Sequence, residues 1–146
     1  MGFMDKINEI KNMAVTQYSK IANKKLMEGT MAACALVANA NGVLKDEEMT
    51  VMTGHIGHNE SLKVYDIADC IGSFKKYNEE IKMQKIIGEQ TCLAAIQKCK
   101  KNEEARVLVA VCCAIAGTDG NFDDNEKAAV KKICNSLGIN PSEFDI

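Results

Sequence analysis

The sequence predicts an all-α fold: a helical bundle of about seven helices that contains two repeated helix–loop–helix units. One proline, no tryptophan and 5% aromatic residues leave the chain short of the turn formers and β-formers that a sheet protein needs. Apolar residues also recur at spacings of three and four along nearly the whole chain, as they do on the buried face of a helix. An internal repeat of helical segments is the third observation.

Each predicted helix is recognised by its apolar positions. The first carries an amphipathic stripe from Phe3 to Ile21, with lysines off the stripe. The seventh ends at Gly138, a residue suited to a left-handed cap, and Pro141 follows where a helix could not continue. The predicted helices span about residues 3–21, 30–40, 46–58, 61–77, 79–99, 103–117 and 123–137.

The second and sixth helices are predicted to be central neighbours. Both are apolar on nearly every side, and such helices belong in the middle of a bundle, surrounded by amphipathic ones. Cys34 and Cys112, one in each helix, should therefore be more than about 90% buried. An aspartate at Ala114 in the sixth helix should cost several kcal/mol, because its carboxylate would be buried without a partner.

Length and charge limit the possible classes. A chain of 146 residues predicts a single domain over residues 1–146. The net charge is −2 and Arg106 is the one arginine, so no nucleic-acid partner is expected. The longest apolar run, Val107 to Ala116, is about half of the length that spans a bilayer, so no direct membrane span is expected. Seven cysteines without a signal peptide indicate reduced thiols and a cytoplasmic location.

A shift of 78 residues aligns two similar units, at about residues 29–58 and 107–137. Each unit has a buried apolar helix, an Asn-Gly or Asp-Gly turn, an acidic cluster and an amphipathic helix. The shift places Ala32, Cys34, Ala38, Gly42, Asp46 and Glu48 on Ala110, Cys112, Ala116, Gly120, Asp124 and Glu126. Two loops of similar sequence therefore precede the third and the seventh helices.

The second loop is rich in oxygen ligands that suit a hard divalent cation. Glu126 follows Gly120 at the spacing that joins the glycine and the closing glutamate of a calcium-binding EF-hand loop. The entry half of that motif is missing, because Ile115 and Gly117 replace its ligands. We therefore expect a weak site, with a dissociation constant of about 10⁻⁴ to 10⁻³ M, that favours Ca²⁺ over Mg²⁺ and Zn²⁺. The candidate ligands are Asp119, Asp123, Asp124 and Glu126.

The first loop offers a poorer version of this site, since Lys45 occupies one of its ligand places. If the loops share a function, the Asn41-Gly42 and Asp119-Gly120 turns should lie on one face of the bundle, within about 20 Å of each other. The further candidate ligands are Asn41, Asp46, Glu47 and Glu48.

Helix capping is the simpler interpretation of both acidic clusters. Asp123 and Glu126 have the spacing of a capping box, and acids in the first turn of a helix interact favourably with its dipole. Four carboxylates within eight residues nevertheless exceed what one cap requires. The sequence leaves both interpretations open.

Several segments carry a resemblance to a known family. They are the opening Met-Gly-Phe-Met-Asp-Lys, residues 23–30, 61–66 and 138–144, and the two acidic loops. Together they resemble the tellurite resistance TerB family over essentially the whole chain. This chain departs from the family's pattern at Asn41, where aspartate is usual, and at Lys45.

The resemblance implies a bundle of about seven helices with acidic clusters that hold divalent metal. It implies a part in the bacterial tellurium-resistance and stress-response system, beside the membrane protein TerC and calcium-binding TerD-like proteins. Such partners would keep the protein in the cytoplasm or hold it peripherally at the inner membrane.

Other residue groups favour less specific roles. The cysteines form no Cys-x-x-Cys motif and suit core packing, since free cysteine is among the most buried residue types. His55 and His58, even with Glu60 nearby, have no cysteine close in sequence to complete a transition-metal site, and they are expected at the surface. No phosphate loop, dinucleotide fingerprint or nucleophile motif is present, so we do not expect an enzyme.

The sequence therefore favours a cytosolic, non-catalytic tellurite-resistance adaptor with an acidic surface that binds a divalent cation. A thiol-handling or catalytic detoxification protein is the first alternative. A structural module whose acids only cap helices is the second.

Overall fold

Seven α-helices form from the amphipathic and apolar segments, and the described residues contain no strand, so the all-α prediction is confirmed. This computed structural model describes residues 2–21, 23–100, 102–118 and 122–146. Short 3-10 helices at Glu60–Val64 and Pro141–Phe144 follow the third and the seventh α-helix. The α-helices are α1 (Phe3–Ile21), α2 (Lys24–Ala38), α3 (Asp46–His58), α4 (Ile67–Met83), α5 (Lys85–Gln97), α6 (Asn102–Ala116) and α7 (Asp124–Leu137).

Helices α2 and α6 form the centre of the bundle. Helix α2 packs against α4, α5, α6 and α7, while α6 also packs against α1 and α3. Cys34 and Cys112 are 0% and 1% exposed, and the neighbouring Cys34 thiol raises the pKa of Cys112 across the α2–α6 contact. The prediction of two central, neighbouring helices is confirmed.

The expectation for Ala114 was wrong, because α6 is not buried on every side. Ala114 is half-buried and lines an open cavity together with His55, His58 and Thr118. A charge there reaches solvent. One turn earlier, Ala110 is 0% exposed and does face the core.

The boundary between α4 and α5 lies at Gln84, six residues later than the sequence predicts. Asn78, where a break is expected, is buried within α4, and its Oδ1 accepts a hydrogen bond of 2.7 Å from Asn39 Nδ2. Asn78 is a polar residue of the kind that often ends a helix, but here its side chain is hydrogen-bonded inside the bundle and α4 continues past it. The Gln84 side chain begins α5 by accepting from the backbone N–H groups of Ile86 and Ile87.

Two helix starts also differ from the prediction, for reasons of capping. Helix α2 begins at Lys24 rather than at residue 30, because Asn23 Oδ1 accepts from the Leu26 N–H at 2.8 Å. The predicted fourth helix is divided: residues 60–64 form a 3-10 turn, and Asp66 then caps α4 by accepting from the Ala68 N–H. Gly138 ends α7 at φ 74, which confirms the left-handed cap.

The difference between Ala110 and Ala114 gives a matched test of the central position of α6. Ala110→Asp should lower the free energy of unfolding by about 3 kcal/mol or more, because its carboxylate would be buried without a partner. Ala114→Asp should cost about 1 kcal/mol or less, since its carboxylate reaches the cavity. Urea denaturation of both variants measures the difference. Equal losses would contradict the burial assigned to α6.

Candidate functional site

The two repeat loops meet at Asn41. Its Nδ2 donates to Asp123 Oδ2 at 2.6 Å, and its Oδ1 accepts from Asn125 Nδ2 at 2.6 Å. One side chain of the first loop therefore bonds to two residues at the start of α7. The first loop therefore contacts the start of α7, while the predicted distance between the Asn41-Gly42 and Asp119-Gly120 turns involves residues 119 and 120, which lie outside the described residues.

At the end of each loop, a glutamate side chain caps the N-terminus of the following helix by accepting a hydrogen bond from the backbone N–H three residues earlier. In the second loop, Asp123 Oδ1 accepts from the Glu126 N–H at 2.8 Å, and Glu126 Oε1 accepts from the Asp123 N–H at 3.0 Å. In the first loop, Glu48 Oε1 accepts from the Lys45 N–H at 3.0 Å. Glu48 and Glu126, which the repeat aligns, thus perform the same capping function.

Hydrogen bonds stabilise the ionised form of Asp123. The pKa of its carboxyl is lowered, first by the backbone N–H of Glu126 and then by the side-chain amide of Asn41. The two oxygens of Asp123 accept these different donors. Asp123 therefore stays charged while it joins the loops.

Carboxylates of both repeats line one open cavity. The cavity has a volume of about 540 Å³ and lies between the C-terminal ends of α2 and α6, marked by Ala38 and Ala116. Its polar lining comes from Asn41, Lys45, Glu47, Glu48, His55 and Glu126. The cavity therefore brings acids 78 residues apart in sequence to one surface.

The described residues do not assemble a closed metal site. Nowhere in residues 2–21, 23–100, 102–118 and 122–146 do three or more Asp, Glu, His or Cys side chains converge as metal ligands. Asp46 and Asp124 lie exposed in the first turns of α3 and α7 and do not line the cavity. The acids surround the cavity without converging on one point.

The sequence did not indicate two residues that shape this region, Asn125 and Asn39. Asn125 bonds to Asn41 across 84 residues of sequence, and no local pattern indicates such a contact. Asn39 Oδ1 accepts from the Leu44 N–H at 3.0 Å, which fixes the first loop to the end of α2. The position of Asn39, a polar residue directly after an apolar helix, was the sequence feature that could have indicated this contact.

His55 was expected at the surface and is instead half-buried. It lines the cavity between the loops and the neighbouring cavity beside Ala114. Its Nδ1 is buried, and in the described part of the chain no group hydrogen-bonds to it. His58 is exposed, as expected, with Nδ1 2.8 Å from the Gly54 carbonyl oxygen.

All seven cysteines are free and buried. Burial raises the pKa of Cys70 and Cys99 to about 11 and that of Cys92 and Cys134 to about 12. These four thiols therefore stay protonated at neutral pH.

Comparison with known proteins gives a consistent assignment. Residues 27–146 match the family model described as "Tellurite resistance protein TerB". A tellurium resistance protein TerB from Alcaligenes sp. is 32% identical over 112 residues, which cover 74% of this chain and 92% of the relative. No solved structure gives a significant match. None of the described helices has the length and hydropathy to cross a membrane. The family match and the relative together show that the chain belongs to the tellurite resistance TerB family.

Proposed function

We propose that this TerB-family chain is a non-catalytic adaptor of tellurite resistance whose partner surface responds to a divalent cation at the junction of the two repeat loops. The observation that carries the proposal is a pair of hydrogen bonds: Asn41 donates to Asp123 and accepts from Asn125. Because of this bridge, a charge added to one loop acts directly on the other.

The arrangement of the acids favours weak binding through water. Glu47, Glu48 and Glu126 line a cavity of about 540 Å³ without converging, so a cation there would keep much of its hydration shell. Carboxylate and amide oxygens suit Ca²⁺ and, less well, Mg²⁺. The expected dissociation constant remains about 10⁻⁴ to 10⁻³ M.

A bound cation would act on the helix starts. The N-terminal turns of α3 and α7 carry Asp46, Glu47, Glu48, Asp124 and Glu126, and like charges close together repel one another. Neutralising part of this charge would stabilise the loop junction and favour one conformation of the surface around it. By family resemblance, the partners of this surface would be the membrane protein TerC and TerD-like proteins.

The capping-only alternative has specific support, because Asp123, Glu126 and Glu48 all make capping contacts. It predicts the same structure but no response to calcium. The thiol-handling alternative has none, since every thiol is buried. Calcium titration and thiol counting therefore separate the three functions.

Glu126→Gln tests the cation directly. Glutamine can still accept from the Asp123 N–H, so stability should change little, while the lost charge should remove the calcium response. Titration with CaCl₂ to about 10 mM, followed by NMR at residues 41–48 and 122–126, gives the measurement. Glu103→Gln, at the opposite end of α6, is the control and should respond as the wild type does. If wild type and Glu126→Gln respond alike, or neither responds, the acids are only caps.

Asn41→Asp separates cation binding from capping by the sign of its effect. The change replaces a donor 2.6 Å from Asp123 with a second negative charge, so the melting temperature without calcium should fall. The same carboxylate adds a ligand, so the affinity for calcium should rise several-fold and calcium should restore the melting temperature. Thermal denaturation with and without CaCl₂ measures both effects. Destabilisation that calcium does not reverse would support capping alone.

Thiol counting tests the detoxification alternative. In the native protein all seven thiols should react slowly with Ellman's reagent, because each is buried and shielded from the reagent. After denaturation in guanidinium chloride, seven thiols should react at once. Several fast-reacting thiols in the native state would instead favour a thiol-handling function.

A further inference from the structure

The connection between α4 and α5 is a tight corner held by two local contacts. Gln84 is the one residue between the helices, and its side chain accepts from the Ile86 N–H at 2.8 Å and the Ile87 N–H at 3.3 Å. Gly88 packs so closely on α4 that an added Cβ would lie 2.5 Å from the Cα of Ile81. The corner is therefore fixed in place.

This α4–α5 corner, residues 82–87, presents apolar side chains to solvent. All six residues are exposed, and the exposed fractions of Met83, Ile86 and Ile87 are 78%, 64% and 60%. Three large apolar residues exposed within a stretch of five residues, 83–87, are unusual, since single exposed apolar residues are the norm. The folded chain leaves this apolar group uncovered.

The charge at the corner is positive. Lys82 and Lys85 are exposed, and residues 82–87 contain no acid. The nearest acids on either side are directed elsewhere: Glu80 has a buried carboxylate oxygen, and Glu89 lines a cavity with Lys132 of α7. Glu79 is the exposed acid nearest to the corner in sequence.

We propose that the α4–α5 corner is a lipid-binding surface, which inserts Met83, Ile86 and Ile87 into the headgroup region of an anionic bilayer while Lys82 and Lys85 contact lipid phosphates. Aliphatic side chains flanked by lysines suit an interface, because lysine stems lie along apolar material while their ammonium groups stay in water. Each lysine near an anionic surface adds attraction.

The same features argue against a protein partner at the corner. Protein interfaces are enriched in Tyr, Trp and Arg and depleted in Lys, whereas the corner has two lysines and neither an aromatic residue nor an arginine. Three aliphatic side chains also expose roughly a few hundred Å², less than the ~800 Å² that each partner buries in a standard interface. A second copy of the chain is therefore not favoured.

Vesicle sedimentation tests the proposal on the full chain. The probes are vesicles of phosphatidylglycerol and phosphatidylcholine in equal parts, and vesicles of phosphatidylcholine alone. Wild type should sediment with the anionic vesicles, and the triple variant Met83→Gln, Ile86→Gln, Ile87→Gln should bind at least about tenfold more weakly. Lys82→Gln and Lys85→Gln should each weaken binding about fivefold. Val64→Gln, which changes an exposed apolar residue elsewhere, should bind as wild type does.

A fluorescent reporter locates the contact, because the chain has no tryptophan. The emission of Met83→Trp should shift to shorter wavelength when anionic vesicles are added, and that of Val64→Trp should not. Unchanged sedimentation of the triple glutamine variant would overturn the proposal, as would absence of wild-type binding. If wild type dimerises but does not bind vesicles, and the triple variant is monomeric, the corner mediates self-association and the lipid proposal is wrong. Calcium is omitted throughout, so these results do not depend on the cation proposal.

Discussion

The contact between α2 and α6 is the constraint on which the rest of the structure depends. Both helices are apolar on most sides, so each must be covered by neighbours, and they cover one another through Cys34 and Cys112. Their C-terminal ends, at Ala38 and Ala116, line the same cavity. Because of this placement, Asn41 of the first repeat contacts Asp123 of the second, and residues of both repeats line the same cavity.

Asn41 shows how a departure from a family pattern can acquire a structural role. An amide can donate and accept at once, and Asn41 does both, to Asp123 and from Asn125. An ionised aspartate could accept from Asn125 but could not donate to Asp123. The asparagine thus joins the loops without a cation, and it removes one negative charge from a surface rich in acids. Both effects would weaken the cation binding that we propose for this surface.

The cysteines serve the core rather than the chemistry of the site. All seven are buried, and desolvation favours the protonated form of Cys92 and Cys134. Cys99, for example, packs where Gly29 of α2 leaves room, since a Cβ on Gly29 would lie 2.8 Å from its sulfur. Small apolar residues let helices approach closely. The acidic cavity and the α4–α5 corner are therefore the chemically distinctive surfaces of the described chain.

The sequence by itself determined the helical content and several of the local helix starts and stops. Helix periodicity, the Asp123–Glu126 capping box, the Gly138 cap and the bounds of α3 follow from residues within one or two turns of each other, where local hydrogen bonds decide. Only the tertiary structure decided what distant residues do. Asn78 is accommodated inside a helix because Asn39 donates a hydrogen bond to its side chain. Asn125 belongs to the site because it donates a hydrogen bond to Asn41. Ala114 and Met83 reach solvent because no neighbouring helix covers them. Hydrophobic spacing marks the face a helix can bury, but whether that face is covered depends on packing between elements far apart in sequence.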